Sequence, residues 1–162
     1  MKKIKTFFFL LTAGFGLALS NTAFADPKPK GAKSASAQTV ANHYAGKTHH
    51  WKSCKGGIYF GANWQAQAYC NKEGPSIGLG KWSVTKRGKI CHELTWYWPK
   101  GDGHGSKVDK KDCTEHVVDA NGEMWRSWQG EKDWWRSQYQ KNLEKGFKHK
   151  SKINRLRKKL KL

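Results

Sequence analysis

Four cysteines, Cys54, Cys70, Cys91 and Cys113, carry the clearest chemistry in this chain of 162 residues. An even cysteine count in a short chain behind an export signal points to structural disulfides, which persist in an oxidising compartment. Hydrolytic chemistry has weaker material. Glu93, Glu115 and Asp119, with His92 or His116 nearby, are the carboxylates that could pair for glycoside cleavage. Only 12 acids face 31 Lys and Arg, so salt-bridging work exists for most of them. Gly103-His104-Gly105-Ser106 is not a Gly-x-Ser-x-Gly nucleophile elbow, and no phosphate-binding loop occurs. His49 and His50 are adjacent and would face opposite ways on a strand, with His43 upstream and His104 in a glycine run. No Cys-x-x-Cys, HExxH or acidic calcium loop accompanies them, so they read as surface histidines. No catalytic residue, metal ligand or cofactor is assigned.

Aromatic and basic residues are the other material for recognition. The chain has nine tryptophans, which can form stacking platforms or supply the core of a protein poor in aliphatic residues. Trp51, Trp64 and Trp82 read as core. Trp96 and Trp98 share one strand face, with Tyr97 on the other. Trp134 and Trp135, beside Arg136, read as exposed. The formal net charge is +19, which favours anionic partners. Residues 141–162 hold ten Lys or Arg against the single acid Glu144. Ile153, Leu156 and Leu160 recur there at helical spacing, predicting a basic amphipathic helix. That helix could lie on an anionic membrane or polymer, dock its apolar stripe on the rest of the protein, or stay disordered. The candidate contact residues are Lys148, Lys150, Lys152, Arg155, Arg157, Lys158, Lys159 and Lys161, with Trp134 and Trp135 for stacking. Nucleic acid would bind such charge without specificity.

These residues need elements to position them. Residues 1–25 have the form of a signal peptide: Lys2, Lys3 and Lys5, an apolar stretch, then Ala23-Phe24-Ala25 before cleavage. No second long apolar run follows, so no transmembrane segment is expected in the mature chain. Composition predicts a flexible linker at 26–38, a β-rich domain at 39–140 and the basic tail at 141–162. Thr39 is a candidate N-cap for a short helix through Val40 and Tyr44, stopped by Gly46. The last third of the chain has spacing more consistent with helix.

The middle of the chain reads as hairpins. Gly57-Ile58-Tyr59-Phe60 and the run from Trp64 to Cys70 flank Gly61-Ala62-Asn63. With Phe60 opposite Trp64, Cys54 falls opposite Cys70, on the face of Ile58, Phe60, Ala66 and Ala68. Tyr59, Gln65, Gln67 and Tyr69 take the other face. Cys54–Cys70 and Cys91–Cys113 are therefore the preferred bridges among three possible connectivities. A second hairpin turns at Arg87-Gly88 and a third at Asn121-Gly122. Pro99 and the glycine run at 101–105 are expected to end a strand in a mobile loop. The fold class is mainly β: a small disulfide-stapled antiparallel sheet or barrel, with a short N-terminal helix and a basic C-terminal helix or tail.

Tyr44-Ala45-Gly46-Lys47-Thr48, Trp51 and Gly57-Ile58-Tyr59-Phe60 form one block. Gly80-Lys81-Trp82-Ser83-Val84, Gly88-Lys89-Ile90-Cys91, Trp96 and Cys113 form a second. Together, over roughly residues 39–128, they resemble the small exported proteobacterial proteins of domain-of-unknown-function family 995. The resemblance implies a periplasmic β-rich protein and transfers no catalytic residue. Cys91 and Cys113 match its cysteines; Cys54 and Cys70 stand as an addition. Gly80-Lys81-Trp82 also resembles the Gly-x-Trp of lipocalins, which assigns no ligand.

The expected function is that of a non-catalytic, periplasmic or secreted envelope protein presenting basic and aromatic surface to an anionic envelope polymer or membrane. The alternatives are a periplasmic enzyme acting on envelope glycans and a small-molecule-binding β-barrel.

Overall fold

The structure is a computed structural model that describes residues 26–162; the expected signal peptide at 1–25 lies outside the described residues. In chain order, β1 (Lys33–Ser34) leads into α1 (Ala37–Tyr44), then β2 (Lys47–Trp51), β3 (Gly56–Phe60), β4 (Gln65–Asn71) and β5 (Pro75–Val84). There follow β6 (Ile90–Lys100), β7 (Gly103–Val108), β8 (Asp112–Val118), β9 (Met124–Trp128), β10 (Trp135–Arg136), β11 (Leu143–Lys145) and α2 (Lys150–Leu160). All pairings are antiparallel, in the order β10-β9-β8-β6-β5-β4-β3-β2-β11, with β1 on β8 and β7 on β6. Long β6 is shared lengthwise: residues 90–92 pair with β8 and residues 95–100 with β7. The sheet curls into a half-barrel, bringing β2 and β9 to one cavity.

Period-two alternation decides what each face carries. Ile58, Phe60, Ala66, Ala68, Trp82, Ile90 and Leu94 point into the concave face, where they bury Val40 and Tyr44 of α1. Small residues at the centre of this face, Ala66, Ala68, Gly78 and Gly80, leave room for the helix. Gly80 cannot be larger, since a Cβ there would lie 1.9 Å from the carbonyl oxygen of Glu93. Helix α1 begins one turn earlier than Thr39 suggests. Ser36 is the N-cap, its hydroxyl accepting from Thr39 N at 3.0 Å, and Gly46 follows at φ +74°.

The convex face buries Tyr69 and Ile77 beneath Ile153, Leu156 and Leu160 of α2. The apolar stripe of the basic tail is thus spent on the sheet, and β11 pairs with β2 just before it. Residues 26–38 are likewise built in: Asp26 bridges Trp134, β1 pairs with β8, and Ala35 is 1% exposed. Composition could not show either docking.

Three local expectations need correction. Phe60 pairs with Ala66 rather than Trp64, because residues 61–64 form the loop and Trp64 adopts φ +65°. A shift of two preserves parity, so the predicted faces hold while the predicted cysteine opposition does not. Cys70 lies opposite Ser76, Cys54 sits in the 3₁₀ turn Lys52–Cys54, and both are thiols. They still touch: burial, then a hydrogen bond with Cys70, raises the Cys54 pKa to about 12. Cys91–Cys113 is a disulfide, across directly opposed residues of β6 and β8. The glycine run after Pro99 is a hairpin rather than a free loop, with His104 opposite Pro99 and Gly105 opposite Trp98. Finally, of the last third only α2 is α-helical.

Helix α2 is therefore part of the hydrophobic core. Leu156→Ala should lower the unfolding free energy by about 2–5 kcal/mol, whereas exposed Lys158→Ala should change it by less than about 0.5 kcal/mol. Urea titrations read both.

Candidate functional site

The concave face holds more polar chemistry than a folding core requires. Tyr44, at the end of α1, places its hydroxyl 3.0 Å from His116 Nε2 on β8, and His116 Nδ1 lies 3.2 Å from the Gly88 carbonyl. A carbonyl only accepts, so Nδ1 carries the proton and Nε2 accepts from the tyrosine hydroxyl. Burial pushes the Tyr44 pKa up to about 12 and that of His116 down to about 4. At neutral pH neither group is poised to exchange a proton, so the pair is a structural tie. Gln140 Oε1 lies beside the pair, 3.5 Å from Tyr44 Oη, whose one proton goes to His116, and 3.4 Å from His43 Nε2.

Around this tie lies a cavity of about 90 Å³, reached by His49, His92, Asp112, Arg126 and Gln140 and walled by Trp51, Phe60, Ile90 and Trp128. It shares His49, Trp51, Arg126, Trp128 and Gln140 with an outer groove of about 1270 Å³ that adds Lys52, Lys141 and Asn142. His49 accepts from Asn142 Nδ2 at 2.6 Å, and its pKa falls to about 4 through burial and then the charge of Arg126. Burial is the main cause of the lowered pKa values of His43 and His92 too.

Arg126 is the centre of this arrangement. Strand pairing sets it opposite His116 on one side and Trp135 on the other, with its guanidinium 5.8 Å from the Trp135 ring centroid. Among the described residues it makes no salt bridge, and its buried Nε has no hydrogen-bond partner. A buried N–H left without a partner costs about 1–3 kcal/mol. A permanent cation among neutral histidines, with aromatic walls and Asp112 by His92 as the one carboxylate of the lining, can take an anionic group on its guanidinium.

The residues singled out from sequence lie elsewhere. Glu93 pairs with Lys111, Glu115 with Lys89, and Asp119 accepts from Trp125 Nε1 at 2.9 Å. These bonds hold the three carboxylates apart in separate structural roles. Among the described residues, no group of three or more His, Cys, Asp or Glu could hold a metal ion. Lys150, Lys152, Arg155, Lys158, Lys159 and Lys161 are exposed on α2, Arg157 is half-buried, and Lys148 bonds Glu144 at 2.5 Å. Trp134, read as exposed, is 4% exposed and packs with Val117 and Trp125. Trp135 is half-buried beneath Arg126. Trp64, read as core, is 48% exposed because it ends a loop, although its ring leans on Trp82 at 4.5 Å.

Arg126, Trp128 and Gln140 were not singled out from the sequence, and His49, read as a surface histidine, is 8% exposed because β2 turns it into the curled sheet. One signal was available. Alternation in Met124-Trp125-Arg126-Ser127-Trp128, continued from the Asn121-Gly122 hairpin, puts Arg126 on the face of His116.

A family model described as "Protein of unknown function (DUF995)" matches residues 12–156, beyond the 39–128 expected from motifs. No curated protein and no solved structure matches the chain.

The neutral histidines make stability depend on pH. The folded pKa values of His49 and His116 lie near 4, against 6.5 unfolded. The unfolded chain therefore binds more protons between these values, so stability is full above about pH 6.5 and falls as pH drops toward 4. His116→Asn should flatten that slope, measured as the urea midpoint between about pH 7 and about pH 5.

Proposed function

The chain belongs to that family, and we propose that it is a non-catalytic exported binding protein whose half-barrel captures an anionic ligand on Arg126. The supporting observation is a half-buried guanidinium, its Nε buried without a partner and with no salt bridge among the described residues, on the wall of an aromatic cavity. Nothing in the cavity is arranged as a nucleophile with its base. The Tyr44–His116 pair is locked in hydrogen bonds, and Asp112 stands 3.9 Å from His92 at long range for proton transfer.

Export is part of this reading. The Cys91–Cys113 disulfide fits an oxidising compartment, and the sequence pattern of residues 1–25 fits delivery to the periplasm or beyond. Among the described residues no helix is long and apolar enough to cross a membrane.

In this proposal the exposed lysines of α2 raise the concentration of anions near the protein at low salt, while Arg126 holds them. The two roles separate with salt, since exposed charges are screened and a buried contact is screened less. Anionic envelope polymers and their fragments are the partners this charge would meet.

Calorimetric titration with small carboxylates tests the assignment. Arg126→Gln should weaken binding by about ten- to a hundredfold, the range of a lost charge-assisted bidentate contact. Arg126→Lys should recover only part, because an ammonium lacks the planar fork. Unchanged affinity in Arg126→Gln, with native near-ultraviolet circular dichroism, would remove Arg126 from the site.

A further inference from the structure

The inner cavity, at about 90 Å³, is too small to enclose an alkyl chain or a whole ring. Arg126 lines the outer groove as well, so a ligand lying in that groove can present a compact anionic group to Arg126 at the mouth of the inner cavity. That groove is walled by the indoles of Trp51 and Trp128, with His49, Gln140 and Asn142 offering hydrogen bonds between them. Flat aromatic faces alternating with polar side chains suit a molecule whose own faces alternate the same way. A sugar ring has apolar C–H faces and hydroxyl edges; a fatty acid does not.

A second aromatic groove lies beyond Trp51. The Trp51 ring lies 6.2 Å from that of Trp96, which lines this groove of about 560 Å³ with Trp98, Lys72 and Pro75. Trp96 and Trp98 point to one face about 7 Å apart along β6. Both are held in place. Trp96 Nε1 donates to Asp109 at 2.5 Å, and the Trp98 ring lies so close over Gly105 that a Cβ there would be 2.6 Å from it. Glycine at 105 therefore serves the placement of Trp98, which is 36% exposed. Lys52, Lys141, Arg126 and Lys72 line the two outer grooves against the single acid Glu73.

Resting on the Arg126 reading, we infer that the ligand is an acidic oligosaccharide, with one uronate carboxylate on Arg126 and successive rings along Trp128, Trp51, Trp96 and Trp98. The class follows from three features together: a cation at one end, a row of indoles, and two basic grooves, linked by the Trp51–Trp96 contact, that together exceed one ring.

Titrations of the purified protein with galacturonate, a short oligogalacturonate and a neutral oligoglucoside of equal length test this. The oligogalacturonate should bind at least about tenfold more tightly than the monomer, and the neutral oligomer much more weakly. Trp98→Ala, at an exposed position, should cost the oligomer about tenfold and leave the monomer unchanged. Arg126→Gln should weaken both uronates. An oligomer no tighter than the monomer, or insensitive to Trp98→Ala, would overturn the extended site while leaving the anion pocket intact. Equal binding of the neutral oligomer would overturn the acidic class. Binding of acetate or benzoate without any uronate binding would overturn the saccharide alone; binding of no anion at all would overturn both readings.

Discussion

The docking of α1 inside the curled sheet is the constraint on which the rest of the molecule depends. It is fixed at one polar point, where Tyr44 donates to His116 and His116 donates to Gly88. Buried hydrogen bonds of this kind contribute about 1 kcal/mol net, but removing either partner strands a polar group and costs more. The tie therefore specifies where the helix sits as much as how firmly. Alanine and glycine at the centre of the concave face let the helix approach, and the larger Phe60, Trp82 and Leu94 enclose it. With the helix occupying one part of the curl, the remaining space becomes the cavity between β2 and β9. The site is what the helix leaves over.

Electrostatics follows from that geometry. Histidines brought into a confined space with a guanidinium lose their protons, and His49 and His116 do so well below neutral pH. Burial is the larger cause and Arg126 adds to it at both. The outcome concentrates positive charge on one side chain instead of spreading it over five. Burial lowers the pKa of a lysine readily, whereas arginine remains charged. Tyr44 does not neutralise the site, since its own pKa has risen to about 12.

How much of this was legible in the sequence depends on the range of each determinant. Hairpins at Gly88 and Asn121-Gly122, the faces of β3 and β4, and the Trp96/Trp98 alternation rest on local rules, and these were read correctly. The tail stripe of Ile153, Leu156 and Leu160 was legible as well, but its partner on β4 and β5 lies some eighty residues away in sequence. Short strands such as β10 and β11 carry too few residues to show a period. The glycines at 101–105 looked like a loop because composition cannot distinguish flexibility from the close approach that Gly105 makes to Trp98. The cavity was least legible of all. His49 and Arg126 meet only because the sheet curls, and curl is a sum of small twists over many strands.

The chain's large positive charge has two physically distinct parts. Exposed lysines on α2 are solvated, cost little to keep, and act at a range limited to about 10 Å at moderate salt. Their apolar neighbours are already buried on Tyr69 and Ile77, so the helix cannot also insert that face into a membrane. Arg126 differs in kind: it is half-buried, and its Nε has lost water without gaining a hydrogen-bond partner. A fold selected only for stability would fill that place with an apolar side chain of similar volume. Its presence at the junction of an inner cavity and an aromatic groove accords with the proposed anion site, where stability is given up for recognition.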